Sequence, residues 1–256
     1  LTLLVGLPGA YLIARYKFNG KLIFRSLTTI PFVLPTLVVA ISFDTLLGSS
    51  GWLNSALEKM DLSPVRFTRT IGAILVAHVF YNTTIVMRLV GDYWSRIDHR
   101  LWDVARSLGA SPLQLFKRVT LPLLSAPIAA ASLLVFIFCF TSFGVILILG
   151  GPRYATIEVE IYYQTVSLFN LPVAATLSIL QIGITLILSI IYARLMHRIN
   201  RPLPLTSPLR NEQRLTGKVG SPIAIAILLT IALFHLVPLV SLASQSITGA
   251  DGFTLN

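Results

Sequence analysis

The sequence predicts an all-α, polytopic membrane protein, and three observations carry that expectation. Of the 256 residues, 55% are hydrophobic and 12% charged, with a mean hydropathy of +0.80; soluble domains carry about a quarter charged residues. Apolar runs occupy 1–14, 27–47, 71–90, 127–149, 173–195 and 222–243, and all but the first have roughly the 20 residues that cross a hydrocarbon core. The runs are continuous rather than alternating with period two. That selects helices over the strands of a closed barrel, the two structures that satisfy backbone polar groups in lipid.

Run 1–14 breaks at Arg15 and is too short to span, so it reads as the tail of a helix that begins earlier. Leu1 is not Met and no basic leader precedes it, and only a short polar stretch follows the last run. The chain therefore reads as a piece of a longer protein. Runs 27–47, 71–90, 127–149 and 173–195 read as four full spans. The stretch 196–221 is polar, carries Pro202, Pro204 and Pro208, and reads as a linker that holds no long helix. Run 222–243 then opens a new module.

The connecting loops fix the orientation. Loops 15–26, 91–126 and 194–221 hold fifteen Lys and Arg residues, the intervening loops four. An excess of that size in alternate loops places them in the cytoplasm; Arg88, at the end of its run, can snorkel toward them. The net charge of +10 is thus membrane topology rather than a nucleic-acid footprint. The single cysteine, Cys139, lies in an apolar run, which excludes an internal disulfide framework or cysteine metal cluster.

Loop 91–126 is the most informative segment. Trp94, Ile97, Leu101, Val104 and Leu108 recur at helical spacing from Asp92 to Leu108, which predicts a helix with one apolar stripe and a charged opposite face. Gly109 follows, where glycine ends helices in the left-handed conformation. Ser111, Pro112 and Gln114 read as the cap, first position and capping-box partner of a new helix. Leu121 and Pro122 then read as the turn back toward the membrane. On these grounds alone the segment is either an interfacial anchor or a docking element.

The order Asp103-Val104-Ala105, three residues, Gly109, nine residues, Val119, one residue, Leu121-Pro122 resembles the EAA loop of ABC importer permeases. Asp103 stands for Glu, Val104 for Ala and Val119 for Ile. Leu7–Tyr16 and Pro31–Ala40 look like the second and third helices of such a permease, and Gly150–Tyr162 is similar to a segment of the fused two-module thiamine and ferric-iron permeases. The resemblance implies the ABC importer permease transmembrane fold in the cytoplasmic (inner) membrane. It implies a first module at 1–195, a linker at 196–221 and the first span of a second module at 222–256. It also implies a cytoplasmic ABC ATPase, as a dimer, that docks on Asp103, Ala105, Gly109, Val119, Leu121 and Pro122. An extracytoplasmic binding protein would deliver thiamine or ferric iron.

No Gly-rich phosphate loop is present: Gly20-Lys21 and Gly217-Lys218 lack the following Ser or Thr and the earlier glycine. The chain is therefore expected to bind no cofactor, with ATP and Mg on the partner, and to catalyse nothing itself. His78, Asn82, Thr83 and Thr84 form a polar patch in run 71–90 that reads either as pathway lining or as helix–helix hydrogen bonding. Asp44, near the outer end of its run, is a pathway candidate or a solvated interfacial group. Glu158 and Glu160, with Arg153, are an outer-loop pair that could draw a cation or stay solvated. The four histidines, His78, His99, His197 and His235, show no metal-ligand spacing. Two other classes compete: an ion-coupled secondary transporter, which calls for intramembrane carboxylates or broken helices, and a membrane-embedded enzyme, for which no nucleophile–base set is visible.

Overall fold

The computed structural model describes residues 1–98, 100–199, 213–214, 220–249 and 252–253. Within the expected linker 196–221, Pro202, Pro204 and Pro208 lie outside the described residues, as does His99. The helices are α1 (Thr2–Arg15), α2 (Lys21–Val33), α3 (Thr36–Leu47), α4 (Trp52–Glu58), α5 (Ile71–Arg96), α6 (Arg100–Ser107), α7 (Pro112–Leu115), α8 (Leu121–Phe140), α9 (Gly144–Leu149), α10 (Ile157–Tyr162), α11 (Leu171–Ile199) and α12 (Gly220–Ile247). Among the described residues, five stretches are long and apolar enough to cross a membrane: Thr36–Glu58, Ile71–Arg96, Pro112–Phe140, Leu171–His197 and Pro222–Ser244.

Helix α5 is the central post. Its C-terminal half packs on α1 and α8 through Ala10, Ala14, Val86, Val90, Trp94 and Leu124. Its other half packs on α3 and α9 through Val39, Phe43, Ala77, Phe80, Val145 and Leu149. Small residues make the α1–α5 contact close. A β-carbon on Gly6 would sit 2.6 Å from Val86 Cβ, and one on Gly91 would sit 3.4 Å from the Ala10 backbone. Lipid supplies no hydrophobic drive between helices, so such close backbone approach is how they associate. Helix α12 packs on α1, α2 and α3, with Ser241 Oγ donating to the Ser42 carbonyl at 3.0 Å and Ile231 joining Ile13 and Met87.

The basic loops meet at one end of the bundle. Arg25 pairs with Asp92, Tyr16 and Lys17 pair in parallel with Gln213 and Arg214, and the Arg15 guanidinium lies 3.8 Å from the Trp102 ring centroid. At the opposite end Asn54 ties Gly48 to Val65, the Arg69 N–H donates to the Leu149 carbonyl at 2.9 Å, and a second short ladder pairs Thr248–Gly249 with Gly252–Phe253.

Four expectations need correction. Run 27–47 is not one helix: α2 ends and α3 begins across Leu34-Pro35, where Leu34 is extended (φ −72°, ψ 143°). The ring of a following proline disfavours helical geometry in the residue before it. Run 127–149 breaks at 141–143, so α9 folds back onto α3 and α5. The linker begins later than 196, because α11 continues to Ile199. Glu158 and Glu160, expected in an outer loop, are on helix α10, so a spacing of two points them apart. Glu158 accepts from Gln181 and Glu160 from Gln164, each at 2.7 Å.

Candidate functional site

The expected single helix from Asp92 to Leu108 is two. Helix α5 stops at Arg96, Ile97 is extended (φ −69°, ψ 127°), and Asp98 restarts the chain by accepting the Arg100 N–H on Oδ1 at 3.0 Å. An Asp in that role satisfies a donor that the first turn leaves orphaned. Helix α6 carries Asp103 in its first turn and Arg106 in its last, each facing the favourable end of the helix dipole.

The break redistributes the apolar stripe. Trp94 and Ile97 stay with α5 and are buried. On α6 it is Trp102 that turns inward, 2% exposed, while Leu101, Val104 and Leu108 are 46%, 59% and 83% exposed. Ala105 is half-buried against the core beside it. Helix α6 is thus apolar on two sides: one buried face that anchors it and one outward face on which no other described residue packs closely.

The anchor is specific. Trp102 Nε1 donates to Thr120 Oγ1 at 2.9 Å, and Arg15 stacks on the same ring. Sequence reasoning missed Trp102 because it assigned one helical phase from 92 to 108; the signal was the Asp98 cap, which resets the phase. At Gly109 the backbone is left-handed (φ +81°), with the Gly109 N–H donating to the Arg106 carbonyl at 2.9 Å and the Ala110 N–H to the Ala105 carbonyl at 3.0 Å. That closes α6 in a Schellman-type turn. Ser111 then caps α7 reciprocally: its N–H donates to Gln114 Oε1 at 2.9 Å and its Oγ accepts the Gln114 N–H at 3.3 Å.

Leu121-Pro122 does not turn the chain. Helix α7 runs through a π-helical segment, Phe116–Thr120, directly into α8, with the Leu121 N–H reaching back to the Phe116 carbonyl. Pro122 lacks an N–H and its ring crowds the carbonyl four residues earlier; one wide turn relieves both. Asp103, Gly109, Leu121 and Pro122 are exposed and Val119 half-buried, so the structure gathers the expected loop residues on one helix–turn–helix at the basic end.

Of the expected pathway residues, His78, Asn82 and Thr83 lie together on α5 and Asp44 lies apart on α3. Asp44 is exposed near the end of α3 opposite the basic loops. His78, Asn82 and Thr83 are buried in α5. His78 Nδ1 is 2.9 Å from the Ile74 carbonyl, Asn82 Nδ2 is 3.5 Å from Cys139 Sγ on α8, Thr83 donates to the Val79 carbonyl, and Thr84 donates to the Thr28 carbonyl on α2. His78 Nε2 and Asn82 Oδ1 are buried without a partner among the described residues.

A multi-helical bundle with membrane-length helices and a capped helix–turn–helix at its basic end fits a membrane component of a transport system. The chain belongs to the family of binding-protein-dependent transport system inner membrane components, whose profile matches residues 6–201; it is a multi-pass inner-membrane protein. It is 34% identical to the thiamine transport system permease protein ThiP of Haemophilus influenzae over 73% of this chain and 35% of that one. It is 30% identical to the ThiP of Escherichia coli K12 over 93% and 44%. The sulfate transport system permease protein CysT of Salmonella typhimurium is 29% identical over 77% and 70%. The chain thus spans less than half the length of the two ThiP proteins. Its fold is shared with a chain in the crystal structure of a bacterial ABC transporter involved in import of the acidic polysaccharide alginate (TM-score 0.62, 18% identity, 78% of this chain and 73% of that chain).

Proposed function

We propose that this chain is a permease module of an ATP-driven importer and that α6 is where the ATPase docks. The observation that carries the reading is the outward stripe of Leu101, Val104 and Leu108 on a helix fixed from behind by Trp102. An apolar helix face in water beside the membrane calls for a partner groove. The basic end is cytoplasmic by its Lys and Arg excess, so that partner is a cytoplasmic ABC ATPase dimer supplying ATP and Mg.

Closure of the ATPase would displace α6. Trp102 passes that displacement to Thr120, at the end of the π-helical segment, and so to α8; Arg15 passes it to α1. A π segment is a natural hinge, since its hydrogen bonds are already out of α register. Cargo arrives from an extracytoplasmic binding protein, and Asp44, His78, Asn82 and Thr83 remain pathway candidates. The first module, expected at 1–195, runs on to the end of α11 at Ile199, and 222–256 open the second. The chain carries no catalytic residue of its own.

Similarity to the ThiP proteins supports thiamine as cargo, while similarity to CysT supports sulfate as the second reading; ferric iron rests on the sequence resemblance alone. The test is to titrate the cognate binding protein with thiamine, sulfate and ferric iron while following ATPase activity of the reconstituted complex. Tight thiamine binding with stimulated ATPase is expected. Sulfate binding would move the cargo, and ATPase activity indifferent to loaded binding protein would overturn the importer reading.

A further inference from the structure

A cleft of about 510 Å³ lies between α1, the end of α5, α6 and the α7–α8 helix. Leu7, Leu124 and Ile128 line it on one side, and Tyr11, Arg15 and Arg106 line it with the Trp94 and Trp102 rings; taking the end where α1 stops at Arg15 as its mouth puts the two guanidiniums there. From Leu7 to Arg15 is eight residues of helix, roughly 12 Å of depth at the usual rise.

Three features need an occupant. Arg15 and Arg106 share the mouth, and the repulsion between them outweighs the attraction of Asp103 for Arg15. The Trp94 indole N–H is buried with no acceptor among the described residues, and Trp94 is itself 7% exposed. The apolar depth behind the two guanidiniums is open. An anion at the mouth answers the charge, but a free anion leaves the apolar depth unfilled. A molecule with an acidic head and a hydrocarbon tail answers both.

We infer that this cleft binds one acidic phospholipid, its phosphate between Arg15 and Arg106 and an acyl chain running past Leu124 toward Leu7 and Ile128. Arg15 ends α1 and Leu121 begins α8, so the mouth is at headgroup level. With the basic end in the cytoplasm, as proposed above, the source is the acidic inner leaflet, where each nearby basic residue favours such lipids. The site adjoins the buried face of α6 and leaves its outward stripe clear.

The full-length protein is purified, placed in phosphatidylcholine nanodiscs and titrated with brominated phosphatidylglycerol or brominated phosphatidylcholine while tryptophan fluorescence is read. Trp94 and Trp102 wall the cleft, so bromine there quenches them. The expected preference for the acidic lipid is on the order of 30-fold, as two basic contacts imply. It should vanish in Arg15→Gln/Arg106→Gln and survive in Arg15→Lys/Arg106→Lys, which keeps the charges. Equal quenching by both lipids, or a preference undiminished in the Gln variant, overturns the site. Inorganic phosphate that displaces the lipid at millimolar concentration would show a free-anion site and overturn the lipid assignment.

Discussion

At the scale of single residues, Gly109 and Trp102 set the geometry of the docking helix for different reasons. Space around Gly109 is open: a β-carbon there meets nothing within 4 Å. Its constraint is the left-handed backbone, which costs an ordinary L-residue about 1–2 kcal/mol. Gly109→Val should therefore leave the protein inserted but abolish coupled transport, while Gly109→Asn, tolerant of that conformation, should retain it; uptake by reconstituted vesicles distinguishes them. Trp102→Phe keeps the ring under Arg15 but removes the donor to Thr120, a loss of about 1 kcal/mol. Because Thr120 still donates to the Leu115 carbonyl, the expected phenotype is ATP hydrolysis with weakened uptake rather than misfolding. Gly109 was legible from its place after an apolar stripe. Trp102 was not, since a phase assigned across Asp98 put the wrong face inward.

At the scale of elements, the sequence located helices better than it located their interruptions. Hydropathy averages over a window, so the break at Leu34-Pro35 vanished into run 27–47 although both prolines, Pro31 and Pro35, stood in plain view. Likewise Pro122 was read as a turn when a π segment absorbs it. A broken helix was the mark expected of a secondary transporter; the family match assigns it instead to a binding-protein-dependent component. Close packing of α1 on α5 yields a stability prediction. Gly6→Ala places its methyl 2.6 Å from Val86 Cβ, and overpacking of that kind costs about 1–3 kcal/mol. Gly183→Ala, with nothing within 4 Å, should be neutral. Thermal unfolding in detergent should show a lowered midpoint for the first and an unchanged one for the second.

At the scale of the whole molecule, the Lys and Arg asymmetry anticipated which loops gather: those at 15–26, 91–126 and 194–221 meet through Arg15 on Trp102, Arg25 on Asp92 and the Tyr16–Lys17 pairing with Gln213–Arg214. That much was legible because charge near span ends is read by topology, not by packing. The pathway was not legible, because Asn82 and Thr84 reach neighbouring helices within this chain, and polarity in a span marks such bonds as readily as a route for cargo. In the function proposed above the outward face of α6 meets the ATPase, and site-specific photocrosslinking in cells reads that contact. A photoreactive residue replacing Leu108, the most exposed of the stripe, should capture the ATPase, and one replacing Leu62, exposed at the opposite end, should not. Capture from Leu62, or none from Leu108 in a complex that still assembles, would contradict it.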